Sequence, residues 1–248
     1  LEEFALPAEV APAKKYREGV GRTMVALHEI VGHGSGKVNA DLKEDPSFYL
    51  KETYSALEET RAELVALHHV FDPKLVELGA ISGPEAAAEA YRGYLRHGIL
   101  QLRRVKEGNR FEDDHMRATH LIVQYLLANE DAAEVRKIEG KTYYAIKDLD
   151  EARDSVAELL EEVMRIKGEG DLEAARELVA RYAVEFDPVL RDEIVARAKA
   201  AGVPDFVAFH QPGVKLVLDD SGEPVDVVLD YSNDFVSTML EWDLVGAR

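Results

Sequence analysis

Apolar residues recur at helical spacing along most of the chain, and the pattern changes only near the middle and in the tail. From about Tyr16 to Gly32, the residues Val20, Met24, Leu27 and Val31 fall three or four apart, which predicts a helix. Residues 1–15, with Pro7 and Pro12 and no clear period, read as loop. Gly34-Ser35-Gly36 ends the first helix, because glycine releases the backbone from helical φ and ψ. A second helix is expected from about Ser47 to Val70, opened by Asp45-Pro46-Ser47 and closed by Phe71-Asp72-Pro73. It carries two stripes. One is Leu57, Leu64, Leu67 and Phe71; the other is Glu59, Ala62, Glu63 and Ala66, small residues beside acids that let another helix approach closely. Further helices are expected over about 84–105, 112–128, 149–166, 172–182 and 188–201.

Two stretches follow a different rule. Glu134–Ile138 and Lys141–Ile146 flank Glu139-Gly140 and read as a hairpin. Val214–Leu218 and Val225–Leu229 are β-rich and are joined by the turn-forming Asp219–Pro224. A short last helix is expected over 233–242. The expected organisation is a helical domain over 1–202 and a small β-containing segment over 203–248, packed on the same domain. The fold class is mainly α.

Composition narrows the function. The 248 residues suffice for a sizeable core, and 46% are apolar, so the chain is globular. A formal net charge of −18 argues against nucleic acid and anionic membrane as partners. No apolar run is long enough to span a bilayer, and no signal peptide is evident. With no cysteine, thiolate chemistry and Cys-ligated metal are excluded. The expected location is cytoplasmic. The start at Leu1, without Met, reads as a processed or excised piece of something longer.

The chemistry concentrates in His28-Glu29-Ile30-Val31-Gly32-His33. Two imidazoles and a carboxylate on one helix are the donors of zinc-dependent hydrolysis. Residues four apart on a regular helix are offset by about 40°, but residues five apart by about 140°. His28 and His33 therefore share a metal only if the helix carries one extra residue as a bulge between Glu29 and His33. Gly32 is the residue most able to absorb that distortion. Taken alone the spacing is either coincidence or a specific variant of the zinc helix. His68, His69, His97, His120 and His210 read as ordinary surface or polar positions.

The segment His28–Lys37 resembles the His-Glu-x-x-Gly-His motif of the dipeptidyl peptidase III family of metallopeptidases. Glu58-Glu59-Thr60-Arg61-Ala62-Glu63 resembles that family's second motif, and His115-Met116-Arg117-Ala118 its His-Met-x-Ala segment. The motifs cover residues 20–130. The resemblance implies one Zn2+ per chain, held by His28, His33 and Glu59 in a helical zinc-binding lobe. It implies Glu29 as the general base and His115 as the group that steadies the oxyanion. Glu63 then accepts the free ring N–H of His28, and Glu58, on another face of a regular helix, is a supporting or substrate-facing acid. The activity implied is release of dipeptides from the N-terminus of short peptides. In that family a β-core lobe upstream of the zinc motif holds the substrate. Only 27 residues precede His28, so the expectation is a catalytic lobe without that upstream part. The alternative is a non-catalytic zinc-stabilised helical domain that serves as a binding or structural module.

Overall fold

The computed structural model describes residues 1–203, 212–232, 234, 236, 237, 239 and 240. The chain divides into two compact units, Leu1–Val203 and Pro204–Arg248. The first unit contains helix α1 (Val10–Ala26), which runs directly into a π-helical segment (Leu27–His33). Next come α2 (Pro46–Leu50), α3 (Tyr54–His69), α4 (Pro73–Glu77), α5 (Pro84–Leu100) and α6 (Asp114–Ala128). A hairpin of β1 (Ala133–Ile138) and β2 (Lys141–Ile146) precedes α7 (Leu149–Glu169), α8 (Leu172–Tyr182) and α9 (Pro188–Ala200). The unit is thus mainly α.

The acid excess is partly spent on helix starts. Asp45, Asp72, Asp113, Asp148, Asp171 and Asp187 each occupy an N-cap and accept a backbone N–H from the first turn. Pro46, Pro73, Pro84 and Pro188 sit at early helical positions, where a missing N–H costs nothing. The same reason corrects the loop expected over residues 1–15. A short 3-10 turn at Pro7–Glu9 leads into α1 at Val10, and Pro12 lies in its first turn, where proline is tolerated. The single helix expected over 47–70 is instead broken at Lys51, which takes a φ of 49°, so that α2 and α3 are separate. In the hairpin, Glu139 and Gly140 both take positive φ, 51° and 77°, as a two-residue turn of the primed type requires.

Helix α3 is the centre of the unit. Leu57, Leu64 and Leu67 are buried with Tyr91 and Leu95 of α5, Leu121 and Ile122 of α6, and Val156, Leu159 and Val163 of α7. Its remaining face meets the π segment, so the element that carries the second acidic motif is surrounded and cannot shift without moving the core. In the second unit, β3 (Gly213–Leu218) pairs antiparallel with β4 (Pro224–Asp230). The last helix expected over 233–242 lies in part outside the described residues.

Candidate metal centre

The extra residue between the two histidines is taken up by winding, not by a kink. Leu27–His33 forms a π-helix, whose i→i+5 bonding brings residues five apart onto one face. His28 Nε2 and His33 Nε2 consequently lie 3.1 Å apart. This single π turn carries the one extra residue expected between Glu29 and His33. Gly32 has a packing reason as well: a Cβ there would stand 2.8 Å from Ala62 Cα and 2.9 Å from Ala62 O. Gly32 and Ala62 are the small residues that let the π segment and α3 touch. Gly32→Ala is expected to push the segment off α3 and destabilise the metal-free chain by about 1–3 kcal/mol, the usual cost of overpacking. Denaturant unfolding reads this directly, and a stability unchanged from the parent would refute the close-packing role.

Helix α3 supplies the acids. Glu59 Oε2 lies 3.3 Å from His28 Nε2 and 3.8 Å from His33 Nε2. Glu58, expected on another face, accepts from His33 Nδ1 at 3.2 Å, because the π segment rests between Glu58 and Glu59. Glu63 Oε1 stands 3.6 Å from His28 Nδ1, within ion-pair range but beyond a hydrogen bond. Two further residues belong to the arrangement and were not singled out in the sequence. Arg61 is fully buried and donates to Glu58 and to the Gly32 carbonyl, the latter at 2.6 Å. Lys167 of α7 donates to Glu58 at 2.7 Å. The acidic motif itself contained the signal for Arg61; nothing local marks Lys167.

These contacts set the protonation pattern. Burial alone would raise the Glu58 carboxyl, but the hydrogen bonds from Arg61 and Lys167 prevail and hold it down to about 2. The hydrogen bond to an ionised Glu58 places a proton on His33 Nδ1 and turns Nε2 toward His28. Burial lowers the pKa of His28, which favours its neutral imidazole. Glu63 is pushed up to about 7, chiefly by burial and then by the charge of Glu59. Glu59 Oε2 is buried and receives no hydrogen bond. Two imidazole nitrogens and a carboxylate oxygen therefore converge.

That donor set fits zinc. Ligands about 2.0–2.1 Å from a tetrahedral ion stand about 3.3 Å from one another, against 3.1, 3.3 and 3.8 Å here. Glu29, exposed, also brings a carboxylate oxygen within 4.8 Å of both histidine donors. Glu59 is the closer of the two acids to the paired nitrogens. His115, in the first turn of α6 and 72% exposed at its side chain, places Nδ1 3.0 Å from Glu59 Oε2. A cavity of about 700 Å³ adjoins the group, lined by His28, Glu29, Glu63, Tyr94 and His115 and walled by Val20, Met24 and Leu100. His120, by contrast, is buried against the Glu185 carbonyl at 2.9 Å, and His68 and His69 stack on each other at the end of α3. His210 lies outside the described residues.

Two imidazoles and a carboxylate opposed across a helix pair, with a second carboxylate beside a cavity, form the donor set of a metal-dependent hydrolase. The chain belongs to peptidase family M49, which matches it over residues 41–204, a range that includes Glu58–Glu63 and begins after His33. It is 27% identical to dipeptidyl peptidase 3 of Mus musculus over 223 residues, 71% of this chain and 30% of that protein. It is 28% identical to the Homo sapiens protein of the same name, with the same coverage of each. The structure of DPP III from Caldithrix abyssi has the same fold over 80% of this chain and 35% of its own, with a TM-score of 0.64 and 23% identity. The chain thus spans about a third of the length of these relatives. No helix among the described residues is long and apolar enough to cross a membrane.

Proposed function

We propose that this chain binds one zinc ion through His28, His33 and Glu59 and hydrolyses peptide bonds, releasing dipeptides from the N-terminus of short peptides. The observation that carries the reading is the convergence of His28 Nε2, His33 Nε2 and Glu59 Oε2 within 3.8 Å. Two imidazole nitrogens and a carboxylate oxygen at that range are a donor set for a zinc ion. When bound, zinc supplies Lewis-acid polarisation of a carbonyl and makes water acidic enough to be deprotonated near neutral pH.

The chain's own residues do the rest. Glu29 faces the cavity and takes the proton of the attacking water, then delivers it to the leaving amine. His115 presents an imidazole at the open side of the site, where an N–H stabilises the developing oxyanion. Glu58 holds the outer nitrogen of His33 and so keeps its Nε2 turned inward, while Glu63 faces the outer nitrogen of His28 at 3.6 Å. The apolar wall formed by Val20, Met24 and Leu100 accepts a substrate side chain. The dipeptide unit of release rests on likeness to the dipeptidyl peptidase 3 proteins.

A non-catalytic zinc-stabilised domain is the second reading. It is favoured by the openness of the site at His115. Metal analysis paired with a dipeptidyl-arylamide assay separates the two. The expected result is one zinc per chain and dipeptide release that a chelator abolishes and added zinc restores. Stoichiometric zinc without chelator-sensitive release supports the second reading. No zinc uptake after reconstitution refutes both.

A further inference from the structure

Lys167 lies in the last turn of α7, 109 residues from the carboxylate it contacts. Its Nζ donates to Glu58 Oε2, and only 15% of the Lys167 side chain and 14% of the Glu58 side chain are exposed. The other cation on Glu58 is Arg61, which sits one turn along the same helix and moves with it. Lys167 is the cation that comes from a different element. The neighbouring residue adds a second tie, since Asn39, in the loop that leaves the π segment, donates its N–H to the Gly168 carbonyl at 2.9 Å. The end of α7 therefore grips both the carboxylate that orients His33 and the chain just beyond His33.

We propose that Lys167 is a positioning residue for His33: acting through Glu58, it holds the imidazole with Nδ1 toward the acid and Nε2 toward His28 and Glu59. The metal affinity of the site then depends on docking of the α7 end. This inference rests on the zinc reading above. Arg61 holds both Glu58 oxygens in a fork, but from the same helix, so on its own it leaves the pair free to shift together. The bond from α7 removes that freedom, and His33 follows.

The test uses the full chain and reads zinc affinity by competition with a chromophoric chelator, together with the visible absorption of the Co2+ form. Lys167→Met keeps the apolar stem and removes the charge. It is expected to weaken zinc binding about 10- to 100-fold, the range for loss of an outer partner of a ligand, and to alter the cobalt bands. Lys167→Arg is expected to stay within about threefold of the parent. In a Glu58→Gln background, Lys167→Met should add less than about twofold, because its route to His33 is already cut. A merely structural lysine would lower the unfolding midpoint of the metal-free chain while leaving zinc affinity and cobalt bands in place. Parent-like zinc affinity in Lys167→Met overturns the proposal, as does a full additional loss in the Glu58→Gln background. If Lys167→Met alone does not fold, the double variant, which buries no unpaired carboxylate, is compared with Glu58→Gln and decides by the same criterion. A parent chain that takes up no zinc overturns this proposal and the zinc reading together; zinc uptake unaffected by Lys167→Met overturns this proposal alone.

Discussion

Glu29→Gln is expected to retain one zinc per chain and lose hydrolysis by about 10³-fold or more, the upper part of the range for a general base. The two effects separate because of where Glu29 sits. It is exposed on the π segment and makes no hydrogen bond to another described residue, so an isosteric amide costs the fold nothing. Glu59 is nearer the paired nitrogens, so the metal keeps its three donors. What the amide lacks is a basic oxygen beside the cavity. The measurement is kcat for a dipeptidyl-arylamide alongside metal content. A variant with more than about a tenth of the parent kcat would remove Glu29 from the role of base. A variant that loses zinc would move Glu29 into the ligand set, in competition with Glu59.

Much of this site was legible before any coordinates, for a physical reason. Two histidines five positions apart cannot serve one metal on a regular α-helix, so the sequence alone demands an irregular turn there, and the structure winds Leu27–His33 as a π-helix. The Glu59 and Glu63 spacing of one helical turn places both acids on one face, and both do approach His28. The hairpin was equally plain, because Glu139-Gly140 is a turn only a few residue types can make. Other parts follow from contacts distant in sequence. Nothing local says that Gly32 must pack so close to Ala62 that an added Cβ would stand 2.8 Å from the Ala62 Cα. Glu58 sits off the Glu59 face on a regular helix, yet it reaches His33 because the π segment lies across α3 between the two acids. Lys167 has no signal at all, being an ordinary basic residue near the end of a helix, where such residues are common.

His28→Ala is expected to cost more than any other single substitution at the site. His28 is only 8% exposed and stands within ion-pair range of both Glu59 and Glu63. Its removal deletes a zinc donor and opens a void beside α3. It also leaves two acids without the imidazole between them. Zinc affinity should fall about 10³-fold, the share of one ligand among a few in a site worth ~10–16 kcal/mol. Hydrolysis should fall with it and return only at high added zinc. His115→Ala is the contrast. That side chain is 72% exposed and its ion-pair contact is with Glu59, so its loss should slow turnover while zinc affinity stays within a few-fold. Chelator competition on the two variants orders them. If His115→Ala loses zinc and His28→Ala keeps it, the metal is bound on the α6 side of Glu59, and the π segment serves some purpose other than bringing His28 and His33 together.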